Sequence, residues 1–220
     1  MARNQKSHAF GKGIAMAIPF LLFFVGVFFV SMYFYQSVLE ETAFFALIGN
    51  GVAAEEDDGG FTPGARPEVL TSIPSIRYGK QFARLNVTWD GGGWAIKDIP
   101  VYVGADKSCL KKGAGMSFGS YYPGEGKCTI ISAHVTRAFA QLEDTPEGAT
   151  VLLETLYGPY TYQVVARRDG VKGTDRWYME PSDDYDLMLY TCYPRDNKGE
   201  RRTERCVLLC KLIDGVEVQG

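Results

Sequence analysis

Seven short apolar runs follow one another along the C-terminal part of the chain and limit the folds that it can adopt. Each has five to eight residues rich in β-branched and aromatic side chains, and Gly, Pro or Asp separates one run from the next. The runs occupy residues 82–87, 99–103, 128–133, 150–156, 160–166, 185–191 and 206–213. Only residues 106–112 and 136–143 are typical of helices. The pattern predicts a mainly β fold, a closed or nearly closed barrel with short crossover helices.

A stretch without any charged residue occupies positions 14–35. As an α-helix its 22 residues would extend about 33 Å, enough to cross a hydrocarbon core of about 30 Å. Only basic charges precede it and Glu40 is the first charge after it, so the positive-inside rule predicts a cytoplasmic N-terminus. A signal peptide cleaved near residues 43–46 is the alternative, but its apolar core would normally have only about 7–15 residues. We therefore predict an uncleaved signal-anchor.

Four parts are predicted along the chain. Residues 1–13 form a cytoplasmic N-terminus, residues 14–35 the transmembrane segment, residues 36–77 an extracytoplasmic linker, and residues 78–220 the folded barrel. The linker combines glycines and clustered acids with a Pro-containing, extended lead-in. After residue 13 the chain carries 20 basic against 26 acidic side chains. Nucleic acid is therefore excluded as a partner, because binding phosphates requires clustered Lys and Arg.

Five cysteines are an odd number for an extracytoplasmic domain, so at least one thiol is left over if the others pair. Cys206 and Cys210 would lie about 13 Å apart on one strand, too far for a mutual disulfide. Four cysteines are interpreted as small buried hydrophobic residues, with disulfides as the alternative: Cys109, Cys128, Cys206 and Cys210. With no C-x-x-C spacing and only two histidines, we predict no metal and no other cofactor.

Cys192 differs from the other cysteines in its position. It follows the apolar run LMLYT and precedes the polar, partly basic stretch YPRDNKGERRTE, an environment that favours a thiolate. His134 likewise ends an apolar run, CTIISA. If both strand ends open on one rim of a barrel, the thiol and the imidazole can meet and share acid–base chemistry. Taken alone, a single Cys and a single His are more often structural.

The stretches around these residues resemble those of a known family, the sortases. TIISAH (129–134) resembles the sortase stretch that ends in the catalytic histidine, and LMLYTC (187–192) the L-T-L-x-T-C strand that ends in the catalytic cysteine. Arg205-Cys-Val-Leu is similar to the R-x-V-V strand that opens with the catalytic arginine. The intervening segments 110–134 and 139–165 agree in order and spacing, and the resemblance covers about residues 78–214.

This resemblance implies an eight-stranded sortase barrel with three catalytic residues around one groove. Cys192 would be the nucleophile that cleaves an LPXTG-like sorting signal between Thr and Gly, forming a thioacyl intermediate. His134 would be the general acid and base, and Arg205 would hold the substrate and stabilise the oxyanion. Ala133 and Thr191 are the candidate substrate-binding residues.

The implied partners are surface or pilin proteins with an LPXTG-like signal, the membrane, and an amine acceptor, either a peptidoglycan precursor or a pilin lysine. The implied location is the outer face of a Gram-positive cell membrane. Residues 169–184, between the sixth and seventh strands, would wall the groove. The N-terminal anchor and the string TCYP (191–194) resemble class D or a housekeeping sortase. Class C is disfavoured, because residues 61–78 contain no convincing lid.

Several positions depart from the family pattern, and two other functions stay open. Ala133 replaces the usual Gly and Met188 the first Thr, which predicts an altered groove with its chemistry kept. Arg201 and Arg202 compete with Arg205 as the cation. The alternatives are another wall-associated cysteine acyl-transferase and a non-catalytic, membrane-anchored binding barrel.

Overall fold

The computed structural model describes residues 23–28, 30, 32, 60–89, 93, 95–197 and 201–219. Within the described residues from 81 to 214, eight strands and three short helical elements follow one another. The strands are β1 (Gln81–Thr88), β2 (Ile96–Val103), β3 (Ala114–Met116), β4 (Thr129–Ala133), β5 (Thr150–Thr155), β6 (Gly158–Lys172), β7 (Leu187–Tyr193) and β8 (Glu204–Asp214). The helical elements are the α-helix α1 (Lys107–Lys112) and two 3₁₀ turns, η1 (Leu142–Asp144) and η2 (Trp177–Met179).

The strands close into one barrel in the order β1-β2-β3-β4-β7-β8-β6-β5. Two neighbouring pairs, β2–β3 and β4–β7, are parallel, and the other pairs are antiparallel. The predicted mainly β, eight-stranded barrel is therefore confirmed. Because β4 and β7 are distant in sequence but adjacent in space, they can bring residues from two distant stretches to one edge.

Side chains alternate between the two faces of the barrel wall, and this alternation separates two clusters of buried residues. One cluster fills the interior and includes Leu187 and Leu189 of β7 and Leu208 of β8. The second lies on the outer face of β4, β7 and β8 and comprises Cys128, Ile130, Ala166, Tyr178, Met188, Val207 and Leu209. Tyr178 comes from η2, so the connection between β6 and β7 covers this outer face.

All seven predicted strands are present, and the strand that the sequence pattern missed is β3. It has only three residues, AGM, and so short a run with two small residues shows no recognisable strand pattern. The helix predicted at residues 106–112 is confirmed as α1, with Asp106 as its N-cap. The carboxylate of Asp106 accepts hydrogen bonds from the backbone N–H groups of Ser108 and Cys109, as an N-cap side chain should.

The helix predicted at residues 136–143 is wrong. This segment forms successive turns that end in η1. Most of its N–H groups donate to carbonyls three residues earlier, as from Arg137 to His134 and from Leu142 to Phe139. The tighter turn suits two fully buried side chains spaced three apart, Phe139 and Leu142, since residues i and i+3 of a 3₁₀ turn lie on one side.

The lead-in at residues 60–77 is extended, as predicted, and it contacts the barrel. The N–H of Gly64 donates to the carbonyl of Thr155, and Leu70 forms a parallel β-bridge with Val218. Arg66 makes a two-pronged ion pair with Asp214 at the end of β8. Residues 60–77 are therefore fastened to the barrel at several points.

Most of the predicted transmembrane segment, residues 14–35, lies outside the described residues. Residues 23–28, 30 and 32 are described, and they are helical and exposed. Within the part of the chain that the structure describes, no helix is both long and apolar enough to span a bilayer. The predicted division of the chain into four parts stays a prediction.

Candidate active site

Three adjacent strands bring His134, Cys192 and Arg205 into one row. On the β7–β8 ladder Cys192 lies opposite Arg205. On the parallel β4–β7 ladder Ser132 lies opposite Tyr190, so two residues further along both strands His134 comes next to Cys192. Neighbouring strands are about 4.8 Å apart, so along the backbone Cys192 lies between His134 and Arg205. This row was expected from the motifs, and the non-sequential pairing of β4 with β7 creates it.

The three side chains lie on the same face of the wall. Ile130, Met188 and Val207 belong to the outer cluster. Residues an even number of positions apart on a strand lie on the same face of the sheet. His134, Cys192 and Arg205, which are four, four and two positions away respectively, therefore lie on this outer face too. The residues between them, such as Leu189 and Cys206, face the interior. The site therefore opens on the outside of the barrel, where a peptide chain can approach it.

Cys192 is the one cysteine of the five whose side chain is not buried. The other four are free thiols with at most 2% exposure. Burial raises the pKa of each of these four thiols, in the case of Cys109 to about 11. Their interpretation as small buried residues is confirmed, and a raised pKa makes them poor nucleophiles at neutral pH.

His134 is exposed at the first position after β4, on a well-anchored backbone. Its carbonyl accepts hydrogen bonds from the N–H groups of Arg137 and Phe139. The next residue, Val135, is 3% exposed and Phe139 is fully buried. The imidazole is thus open to solvent and substrate, while buried neighbours and two hydrogen bonds hold the backbone of His134 in place.

Arg205 is half-buried, and its guanidinium is held near the protein surface. Nη1 donates to the carbonyl of Glu204 at 2.7 Å and more weakly to that of Arg202 at 3.4 Å. The buried Tyr178 is close by, since its hydroxyl donates to the carbonyl of Gly173, beside the guanidinium. Burial raises the pKa of Tyr178 and the positive charge of Arg205 opposes that rise. No sequence motif pointed to Tyr178, which lies in a stretch that reads as a polar loop.

Ala133 and Thr191, the predicted substrate-binding residues, are both buried. The hydroxyl of Thr191 donates to the carbonyl of Ala133 at 2.8 Å. Thr191 directly precedes Cys192 in the chain, and Ala133 directly precedes His134. Ala133 belongs to the interior cluster. Binding of substrate by these two residues stays a prediction, and their observed contact ties β7 to β4 directly beneath the site.

Arg201 and Arg202, the rival cations, differ in their surroundings. Arg201 is exposed. Arg202 binds carbonyls of the connection between β7 and β8: Nε donates to Pro194 at 2.9 Å, and Nη2 donates to Arg195 at 2.9 Å and to Asn197 at 3.3 Å. Its guanidinium therefore shapes this connection, whereas Arg205 lies opposite Cys192 on the β7–β8 ladder.

The connection between β6 and β7 is shorter than predicted. Residues 169–172 of the predicted wall belong to β6, because that strand runs to Lys172 in its pairing with β8. Residues 173–186 form the connection, and Tyr178 anchors it by a T-shaped contact with Tyr190, with ring centroids 4.9 Å apart. Its neighbours Trp177 and Met179 expose 39% and 43% of their surface, respectively.

Comparison with known proteins agrees with this arrangement. The family model of the sortase domain matches residues 95–213, which is more than half of the chain and includes the whole row. The chain belongs to the sortase family. Members of this family are cysteine transpeptidases. The resemblance read from the three motifs is thereby confirmed.

Relatives of this sortase are found in several classes. Sortase D of Bacillus subtilis (strain 168) is 30% identical over 97 residues, which are 44% of this chain and 49% of that protein. The match thus spans about half the length of the curated relative. Sortase C from Clostridium perfringens SM101 is 26% identical with a TM-score of 0.51, covering 63% of this chain and 73% of that one.

Two further solved structures are similar in fold. Sortase A from Corynebacterium diphtheriae has a TM-score of 0.52 at 24% identity, covering 62% of each chain. The Clostridium perfringens Sortase D5 transpeptidase has a TM-score of 0.53 at 18% identity, covering 64% of this chain and 83% of that one. At these identities the likeness establishes the barrel fold alone.

Proposed function

We propose that this protein is a membrane-anchored sortase that cleaves an LPXTG-like sorting signal between Thr and Gly and transfers the acyl group to an amine. The observation that carries the proposal is the row His134–Cys192–Arg205 across three adjacent strands. In this row we assign Cys192 as the nucleophile, His134 on one side of it as the proton-transfer group and Arg205 on the other side as the cation. Acyl transfer needs these three functions around one carbonyl carbon.

In the first half of the reaction the Cys192 thiolate attacks the carbonyl carbon of the scissile Thr–Gly bond. The C–S bond forms and the carbonyl oxygen gains negative charge, which the guanidinium of Arg205 stabilises. The C–N bond then breaks, and protonated His134 gives its proton to the departing Gly amine. The Thr acyl group remains on Cys192 as a thioester.

In the second half an amine attacks this thioester. His134, now neutral, takes a proton from the incoming amine as the C–N bond forms and the C–S bond breaks. The thiolate leaves and Arg205 stabilises the oxyanion again. The acceptor is the amine of a peptidoglycan precursor or of a pilin lysine, and the donor is a surface or pilin protein with the sorting signal.

The anchoring part of the proposal rests on residues 14–35. They lack any charge, follow a basic N-terminus, and include exposed phenylalanines at helical positions, such as Phe23, Phe24 and Phe28. We place the N-terminus in the cytoplasm and the barrel outside the cell. After carbonate washing of membranes, the protein should stay in the pellet. A soluble mature form beginning near residue 48 would contradict the anchor.

The test of function is peptide cleavage by the full chain in detergent micelles. A quenched fluorescent LPXTG peptide serves as the donor and hydroxylamine as the acceptor. We expect a hydroxamate that ends at Thr, no product with a scrambled peptide, and no product with Cys192→Ala. Binding of the peptide without cleavage would favour a non-catalytic binding barrel, and transfer to hydroxylamine with Cys192→Ala would contradict the assigned nucleophile.

A further inference from the structure

Arg195 joins the segment that follows Cys192 to the segment that follows His134. Its backbone N–H donates to Oε2 of Glu143 at 2.9 Å, and its Nη1 donates to the carbonyl of Ala140 at 2.9 Å. Nε forms an ion pair with Oε1 of Glu143 at 3.3 Å. The guanidinium also binds both carboxylate oxygens of Asp144, with Nη2 and Oδ1 3.3 Å apart. Through its backbone N–H and its guanidinium, Arg195 thus holds η1 against the chain leaving β7.

On the histidine side, these contacts continue to His134 through short hydrogen-bonded turns. The N–H of Ala140 donates to the carbonyl of Arg137, and the N–H of Arg137 donates to the carbonyl of His134. Phe139, with no exposed surface, fixes the same turn in the core. Because this segment has little freedom, a displacement of η1 is passed to the backbone of His134.

On the cysteine side, Arg195 is three residues beyond Cys192 and is held in place by a second arginine. Arg202 donates to the carbonyls of both Pro194 and Arg195, so the chain leaving β7 cannot swing away from the barrel without losing these bonds. The guanidinium of Arg195 therefore acts between two fixed segments. Arg suits this position because its planar fork can bind a carboxylate with two parallel hydrogen bonds.

We infer that Arg195 is a positioning residue, which sets the separation of the Cys192 thiol and the His134 imidazole by fastening η1 to the chain leaving β7. This inference rests on the proposed function, because it assigns a task within that reaction. A half-exposed ion pair contributes little to global stability. The effect of its loss should therefore be seen in turnover, since a misplacement of about 1 Å between reacting groups can cost about a hundredfold in rate.

The barrel offers a matched control pair at its other end. Arg66 and Asp214 form a similar two-pronged ion pair, with side chains 47% and 54% exposed, against 34% and 46% for Arg195 and Asp144. Asp214 lies nine residues along β8 from Arg205, or about 30 Å away. Arg66→Gln and Asp214→Asn thus remove an equivalent pair that cannot affect the row.

The experiment measures kcat and KM for peptide cleavage by the full chain in detergent micelles. For Arg195→Gln we expect kcat to fall about 10- to 100-fold with KM within about twofold, and Arg195→Lys to recover part of the loss. Adding Asp144→Asn to Arg195→Gln should cause little further loss, because the two side chains act as one unit. Arg66→Gln and Asp214→Asn should keep the wild-type kcat.

Two results would overturn the inference while leaving the proposed function in place. One is an active wild type with an unchanged kcat for Arg195→Gln, whatever happens to its melting temperature. The other is a raised KM at constant kcat, which would make Arg195 a substrate contact. A wild type that cleaves no sorting-signal peptide, by contrast, would remove the proposed function itself and this inference with it.

Discussion

At the scale of single residues, exposure distinguishes Cys192 from the other four thiols. Cys109, Cys128, Cys206 and Cys210 are free but buried, and burial raises the pKa of each, which suppresses the reactive thiolate. Brief treatment of the native protein with iodoacetamide at pH 7 should add one label, at Cys192, as read by intact mass and peptide mapping. Comparable labelling of a second cysteine would show that burial does not protect it.

A second prediction at the scale of single residues concerns Arg205, the cation of the row. Arg205→Ala should slow thioacyl formation by about 10²–10³, the usual cost of one oxyanion donor. Arg205→Lys should also be impaired, because it keeps the charge and loses the planar fork. Alkylation of Cys192 should stay at the wild-type rate in both variants. Arg201→Ala, an exposed change, serves as the control. Normal thioacyl formation in Arg205→Ala, together with its loss in Arg202→Ala, would move the role to Arg202.

At the scale of elements, the pairing of β4 with β7 positions the site, and Thr191 strengthens that pairing. Thr191→Val keeps the shape of the side chain but leaves the buried carbonyl of Ala133 without its donor. The free energy of unfolding should fall by about 1–3 kcal/mol in urea titrations of the full chain in detergent. Thr191→Ser keeps the hydroxyl and should be the milder change. Equal stability of Thr191→Val and wild type would show that the bond contributes nothing.

Local rhythm in the sequence was enough to predict the individual strands. Seven of them were predicted as short runs rich in β-branched and aromatic residues, and residues 106–112 were predicted as a helix. The two elements that were missed or predicted wrongly depend on contacts between distant segments. The three-residue strand β3 is defined by the strands beside it. Residues 136–143 form turns, and the distant Arg195 binds the carbonyl of Ala140 within them.

For the candidate site too, sequence motifs predict the residues, while their arrangement depends on which strands pair. Motifs supplied Cys192, His134 and Arg205, but only the barrel order places them in one row. Tyr178 and Arg195 lie in polar stretches without a motif. Their positions depend on which strands become neighbours, which a local pattern cannot reveal.

At the scale of the whole molecule, buried tyrosines should make the barrel sensitive to alkali. Burial raises the pKa of Tyr160 to about 12, and it raises the pKa of Tyr157 and Tyr162 as well. A raised pKa stabilises the fold fully below the unfolded value of about 10, and this contribution is lost as the pH rises towards the folded value. For Tyr160 alone the loss would be roughly 2–3 kcal/mol by pH 12.

Urea titrations of the full chain in detergent at pH 8, 10 and 11 would measure this effect. The free energy of unfolding should decrease as the pH rises above about 10, while absorbance at 295 nm shows the buried tyrosines ionising only on unfolding. Tyr160→Phe should weaken the pH dependence, and Tyr121→Phe, a change at a more exposed ring, should not. A free energy of unfolding that stays constant up to pH 11 would contradict this account.

The central claim is that His134, Cys192 and Arg205 act together on one carbonyl group, and trapping the acyl intermediate tests it most directly. Full-length protein in detergent is mixed with an LPXTG peptide, quenched in acid within the first turnover, and mapped by mass spectrometry. We predict an added mass equal to the peptide up to Thr, located on Cys192, formed more slowly in Arg205→Ala and in His134→Ala. An acyl group on another residue, or equal rates in all three proteins, would contradict the claim.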